Sequence, residues 1–151
     1  MFRLCVSDFG AHYRNQMARI LLIDDDADLS RFLKLTLEKR GYQVECLEAA
    51  DRGPQFLASG RFDLVLLDNR MPRISGIEFL SVLAERGLSV PVILMTGHGT
   101  AETAIQATIR GAFDYMIKPL SHEELSRQLE PLIDEALEDG SAGGNRELST
   151  L

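Results

Sequence analysis

The sequence predicts an α/β fold: a doubly wound, five-stranded open parallel sheet with helices on both faces. Short apolar runs carry that expectation. Residues 20–23 (Ile-Leu-Leu-Ile), 64–67 (Leu-Val-Leu-Leu), 92–95 (Val-Ile-Leu-Met) and 115–117 (Tyr-Met-Ile) show no polar alternation, as strands covered on both faces do. Helix-period segments separate them, so the strands run parallel with crossovers between. Each run is also closed by a polar side chain: Asp24, Asp25 and Asp26 after the first, Asp68, Thr96 and Lys118 after the others. In open parallel sheets ligands bind outside the carboxyl ends of the strands, so these side chains are expected to converge in one crevice.

After the first strand, Leu29, Phe32, Leu33, Thr36 and Leu37 recur at helical spacing, and Gly41 follows Lys39 and Arg40 as a helix stop. Residues 42–47 alternate, as in a strand nearer the sheet edge. A short helix is expected over residues 51–59, ending at Gly60, with Phe56 and Leu57 inward and Gly53-Pro54 weakening its first turn. Beyond Asp68, residues 71–76 (Met-Pro-Arg-Ile-Ser-Gly) break both regular patterns and read as a loop. Ile77, Leu80, Leu83 and Ala84 mark the next helix face, closed by Gly87. Thr100 is placed to cap a helix running to about Arg110, with Glu102 in its first turn and Gly111 after it. The apolar residues of that helix are small or few (Ala101, Ala104, Ile105, Ala107, Ile109), so it packs loosely and is a candidate mobile element. The last helix is expected from Ser121, capped with Glu124, to about Glu138. Leu125, Leu129, Leu132, Ile133, Ala136 and Leu137 form its buried stripe, and Pro131 is expected to kink it.

The 151 residues suit one domain plus tails: residues 1–17 as an N-terminal tail, 18–138 as the domain and 139–151 as a flexible linker or C-terminal tail. The first segment mixes Arg3, Asp8, His12 and Arg14 among scattered apolar residues and lacks the continuous apolar core of a secretory signal. It reads as an extension with little function, the alternative being a short docking segment using Phe2, Leu4 and Phe9. The formal net charge of −7 argues against a basic nucleic-acid-binding face, so no direct nucleic acid contact is expected. No apolar run has the length of a membrane span. Cys5 and Cys46 have neither metal-ligand nor disulfide-framework spacing, which makes a reducing cytoplasm the default.

Three consecutive carboxylates with a fourth facing them repel unless a cation lies between, and Mg2+ suits a few carboxylates with room for phosphate oxygens. Lys118 supplies a point charge for an anion and Thr96 a hydroxyl donor. A metal, a carboxylate nucleophile and two groups for phosphoryl oxygens describe phosphoryl transfer onto aspartate. Asp26 is the acid best explained structurally, as a helix N-cap. Gly97 and Gly99 beside Thr96 permit close backbone approach or positive φ. His98 reads as loop and His122 as a solvated helix start.

In these residues the chain resembles the receiver domain of bacterial two-component response regulators, a flavodoxin-like (βα)5 fold. The matching stretches are residues 20–26 (Ile-Leu-Leu-Ile-Asp-Asp-Asp), 63–72 (Asp-Leu-Val-Leu-Leu-Asp-Asn-Arg-Met-Pro) with Gly76, 95–100 (Met-Thr-Gly-His-Gly-Thr) and 111–119 (Gly-Ala-Phe-Asp-Tyr-Met-Ile-Lys-Pro). The resemblance implies that Asp68 is the phosphoacceptor and that Asp24 and Asp25, with the backbone carbonyl of Arg70, hold Mg2+. It implies that Thr96 and Lys118 contact the phosphoryl group, that the Lys118–Pro119 peptide bond is cis, and that Tyr115 is a switch aromatic following Thr96. A histidine kinase is the implied phosphoryl donor. A homodimer through the fourth helix, fifth strand and fifth helix is expected, because the loose fourth helix and the proline-bearing fifth helix lie on either side of the strand that carries Tyr115. Asn69 stands where the family commonly has an apolar residue, and Ser75 where it often has an acid. Residues 95–120 look most like receivers of sigma-54-dependent transcriptional activators.

Two other readings compete. A haloacid dehalogenase-type phosphatase also uses a strand-end Asp and Mg2+, but residues 24–28 (Asp-Asp-Asp-Ala-Asp) lack its Thr or Val, and the chain has no room for a cap. A pseudo-receiver used as a scaffold is the other, against which the intact acids, Thr96 and Lys118 argue; other outputs, or a stand-alone receiver, stay open.

Overall fold

The computed structural model describes residues 18–141, with side chains as far as Glu138. The expected tail at residues 1–17 and most of the expected linker, residues 142–151, lie outside the described residues. β1 (Arg19–Ile23) leads to α1 (Ala27–Lys39) and β2 (Gln43–Leu47), then a 3-10 turn (Ala50–Arg52) runs into α2 (Gly53–Ser59). β3 (Leu64–Asp68), α3 (Gly76–Glu85), β4 (Val92–Thr96), α4 (Ala101–Ile109), β5 (Asp114–Ile117) and α5 (His122–Ser141) follow. All neighbouring strands pair in parallel, in the order β2-β1-β3-β4-β5, so the sheet is the doubly wound one expected.

The apolar runs form the inner strands because both their faces are covered. Every residue of β3 and β4 is buried. Ile20 and Leu22 join Leu29, Leu33, Leu37, Leu125, Leu129 and Ile133 in a core shared with α1 and α5. Leu21 and Ile23 face the other way, into a core with Phe79, Leu80, Leu83 and Ala107 of α3 and α4. Burying a large apolar side chain stabilises by about 1.5–3 kcal/mol, so these two layers supply most of the favourable energy. β2, by contrast, alternates and lies at the edge, with Gln43, Glu45 and Cys46 exposed.

The helix stops work as their residues suggest: Gly41, Gly87 and Gly111 have φ of 98°, 68° and 93°, conformations that side-chain-bearing residues rarely adopt. Asp26 caps α1 by accepting from the Asp28 and Leu29 N–H groups, and Thr100 caps α4 by accepting from Thr103. Ser121 accepts from the Glu124 N–H at 3.0 Å, at the start of α5.

Several expectations are corrected. The expected face of α3 omitted Phe79, which is fully buried, and included Ala84, which is exposed. The helix is turned so that Phe79 fills the space left by Gly53, where a Cβ would lie 2.6 Å from the Phe79 ring. α5 continues to Ser141, three residues into the expected linker and through Gly140. His122 is half-buried, its ring 5.5 Å from that of Phe32. The Lys118–Pro119 bond is trans, the ordinary preference of a peptide bond. With the bond trans, the Lys118 N–H donates to the Thr96 carbonyl at 2.7 Å and the lysine Nζ reaches Asp24 at 2.7 Å.

Phe79→Ala is expected to destabilise the fold by about 3–5 kcal/mol, while Ala84→Ser changes stability by less than about 0.5 kcal/mol. Urea unfolding of the two variants measures the contrast, and equal midpoints would mean that α3 is docked by a different face.

Candidate functional site

The site is built at the carboxyl ends of β1, β3, β4 and β5. Asp24 follows β1 directly and is 1% exposed. Its backbone N–H donates to the Leu47 carbonyl at 3.0 Å, which ties the turn to the end of β2. Its Oδ1 accepts from the Asp26 N–H at 2.9 Å, and its Oδ2 accepts from the Lys118 Nζ at 2.7 Å. Asp68, the last residue of β3, is 5% exposed and lies 3.3 Å from the same ammonium. The ammonium therefore sits between two buried carboxylates that come from different strands.

Asp25 is exposed, yet carboxylate oxygens of Asp24, Asp25 and Asp68 all lie within 4.8 Å of one another. Three carboxylates against one ammonium leave a formal charge of 1 − 3 = −2. An all-oxygen, doubly negative cluster open on the Asp25 side suits a hard divalent cation and could bind a metal. Asp26, by contrast, is committed as the α1 cap.

Burial, and then the charge of Asp24, raise the Asp68 carboxyl above its usual range, while Lys118 and the Arg70 N–H hold it down. Burial alone would lower the Lys118 ammonium, but the hydrogen bond and charge of Asp24, followed by Asp68, carry it above its ordinary value. Both shifts report an environment that favours an added positive charge.

Thr96 ends β4 and is 1% exposed, with its hydroxyl turned into its own loop: Oγ1 donates to the His98 carbonyl and accepts from the His98 N–H, each at 3.3 Å. It is linked to the lysine through the main chain, and its described hydrogen bonds do not reach Asp68. Tyr115 packs its half-buried ring against the α3–α4 core, and its hydroxyl is buried without a hydrogen-bond partner. The hydroxyl fits there because Gly99 has no side chain: a Cβ at that position would lie 2.5 Å from it. Of the two glycines expected to allow close approach or positive φ, Gly99 serves the former.

The Arg70 side chain is exposed, and its N–H is the backbone donor to Asp68. Asn69 has a role that sequence reasoning missed, since its Oδ1 accepts from the Ile77 N–H at 3.1 Å and its carbonyl from the Gly76 N–H at 3.0 Å. It thereby ties the end of β3 to the start of α3. Ser75 and Glu78 form a capping box there, a Ser-x-x-Glu pattern that was visible in the sequence.

A family model described as the response regulator receiver domain matches residues 20–130. Regulatory protein AtoC of Escherichia coli is 37% identical over 108 residues, which cover 72% of this chain and 23% of AtoC. Transcriptional regulatory protein ZraR of Klebsiella oxytoca is 40% identical over 113 residues, 73% of this chain and 25% of ZraR. The chain thus spans about a quarter of the length of these relatives. The solution structure of the beryllofluoride-activated NtrC4 receiver domain dimer superposes with a TM-score of 0.71 at 29% identity, covering 82% of this chain and 98% of that one.

The raised Asp68 carboxyl has a consequence for stability. Its contribution is fully present below the ordinary value of 3.8 and is lost as pH rises through the higher folded value. Asp68→Asn keeps the shape without the charge, so the metal-free variant is expected to melt above the wild type at neutral pH. The gap should close as the pH falls below 3.8. Thermal melts in chelator across that range test this, and a variant that melts below the wild type at neutrality would contradict it.

Proposed function

The chain belongs to the response regulator receiver family, and on that basis we propose that it is the phosphoacceptor of a two-component phosphorelay, taking a phosphoryl group from a histidine kinase onto Asp68. The observation that carries the reading is the buried Asp24–Lys118–Asp68 arrangement beside the exposed Asp25. Asp68 supplies the nucleophile: a carboxylate oxygen attacks phosphorus as the phosphorus–nitrogen bond of the donor phosphohistidine breaks, and the bond pair returns to the imidazole. Asp24, Asp25, Asp68 and the backbone carbonyl of Arg70 would hold Mg2+. When bound, Mg2+ offsets the negative charge of the acids and of the incoming phosphoryl oxygens. Lys118 is already desolvated and within reach of Asp68, so it stabilises the acyl phosphate that forms. The same groups make the domain the catalyst of its own phosphorylation and dephosphorylation.

Thr96 then turns from its His98 contacts toward the phosphoryl oxygens, and Tyr115 follows. The surface this changes is apolar: Ile105 and Ile109 on α4, Ile117 on β5 and Leu120 beyond it are 57%, 71%, 55% and 106% exposed. A homodimer through α4, β5 and α5 covers that surface, in keeping with the activated receiver dimer it resembles. Likeness to the regulators AtoC and ZraR supports an output on transcription through a further domain, of the sigma-54-dependent kind, with the DNA contact made outside this acidic segment. Among the described residues no helix is long and apolar enough to cross a membrane, and a cytoplasmic location fits a kinase partner. The phosphatase reading is disfavoured because residues 24–28 lack the Thr or Val of its motif, and Asp26 serves as the α1 cap, its Oδ1 accepting from two helix N–H groups at 3.1 Å.

Treatment with acetyl phosphate and Mg2+ followed by peptide mass spectrometry is expected to place a single phosphoryl group on Asp68. Asp68→Asn should abolish the label and Asp25→Asn reduce it at least about tenfold at limiting Mg2+. Equal labelling of Asp68→Asn would remove the assignment. Beryllofluoride is expected to change hydrogen-exchange protection across residues 97–120 and to shift sedimentation toward a dimer; no change in either, with the mimic bound, would leave the output surface elsewhere.

A further inference from the structure

Between β3 and α3, Arg73 has a φ of +75°, and the Ile74 N–H donates back to the Pro72 carbonyl at 2.9 Å. This is a γ-turn with its central residue in the left-handed region, a strained state that a residue with a Cβ holds only when its surroundings enforce it. Met71 and Ile74 pack against the α3–α4 core on either side. The charged tie comes from Arg73 itself, whose Nη1 donates to Asp51 Oδ2 at 2.6 Å. Asp51 lies in the 3-10 turn that follows β2, and the last residue of β2, Leu47, accepts the backbone N–H of Asp24 at 3.0 Å. The ion pair therefore joins the loop after Asp68 to the segment that anchors Asp24.

That loop is fastened at its two ends, by the Asn69 hydrogen bonds and by the Ser75–Glu78 capping box. Between them runs Arg70, whose N–H meets the Asp68 carboxylate. We propose that Arg73 is a positioning residue: its ion pair with Asp51 holds the γ-turn in place and so sets the path of the Arg70 main chain beside Asp68, pre-forming the Mg2+ site. The proposal rests on the metal reading above, in which the Arg70 carbonyl is a ligand.

Charge alone predicts something different. Removing the Asp51 carboxylate would weaken Mg2+ binding and removing the Arg73 guanidinium would strengthen it, by simple repulsion. Positioning predicts that both removals weaken it. The Mg2+ dissociation constant, measured by titration calorimetry with Mg2+ alone, is expected to rise about two- to fivefold in both Asp51→Asn and Arg73→Gln, the scale of a half-exposed ion pair. The double exchange Asp51→Arg with Arg73→Asp is expected to restore it, since the pair is rebuilt and Asp tolerates the left-handed region. Hydrogen exchange at residues 69–75 should quicken in the single variants and recover in the double one, with global unfolding midpoints within error of each other. Tighter binding by Arg73→Gln, or no recovery in the double exchange, overturns the proposal. Loss of Mg2+ binding in Asp25→Asn alone, with Asp51→Asn and Arg73→Gln at the wild-type value, overturns it while leaving the metal reading intact. A wild-type chain that binds no Mg2+ removes both.

Discussion

The Lys118 ammonium held between Asp24 and Asp68 is the constraint around which this domain is arranged. Two carboxylates buried on neighbouring strands repel, and each has lost the water that would otherwise screen it. One cation compensates them in part, and the compensation is possible only because β1, β3, β4 and β5 all end at the same level. Parallel pairing enforces that level: Ile23 is in register with Leu67, Asp68 with Met95 and Thr96 with Ile117. The apolar strand interiors thus do more than fill space. They hold the register that brings three chain segments, far apart in sequence, to one point.

The buried acids are under-compensated, so the site favours whatever adds positive charge. A second under-satisfied group, the Tyr115 hydroxyl, lies on the adjoining face beside Gly99. A buried hydroxyl without a partner costs about 1–3 kcal/mol, which narrows the gap between this arrangement and one in which the ring sits elsewhere. α4, with only Ala107 buried among its residues, adds little resistance to such a change. The α1–α5 side is held more firmly, by a continuous apolar core and by Arg40 and Tyr42 facing Glu130 and Asp134.

The loops at the carboxyl ends are tied to one another rather than left to the strands alone. Asn69 and the Ser75–Glu78 box join β3 to α3, and Leu47 holds Asp24. Asp51 meets the strained turn at Arg73. The acid cluster that could bind a metal is contributed by separate strand ends, so its spacing depends on this kind of support.

By itself the sequence determined the sheet, its parallel sense, the helix caps at Asp26 and Thr100, the glycine stops and the polar side chains at four strand ends. These follow from local pattern: unbroken apolar runs, 3.6-residue spacing and residues whose backbone or side-chain chemistry suits one position. Tertiary structure alone decided what depends on distant neighbours. Phe79 rather than Ala84 faces the core because Gly53 leaves room for the ring, and Lys118 meets Asp24 with the Lys118–Pro119 bond trans. Thr96 bonds within its own loop, and Asn69 and Arg73 acquire roles, through partners that no spacing rule connects to them. Local patterns report what a residue does with its own segment, whereas burial, shared charge and strain are properties of segments brought together.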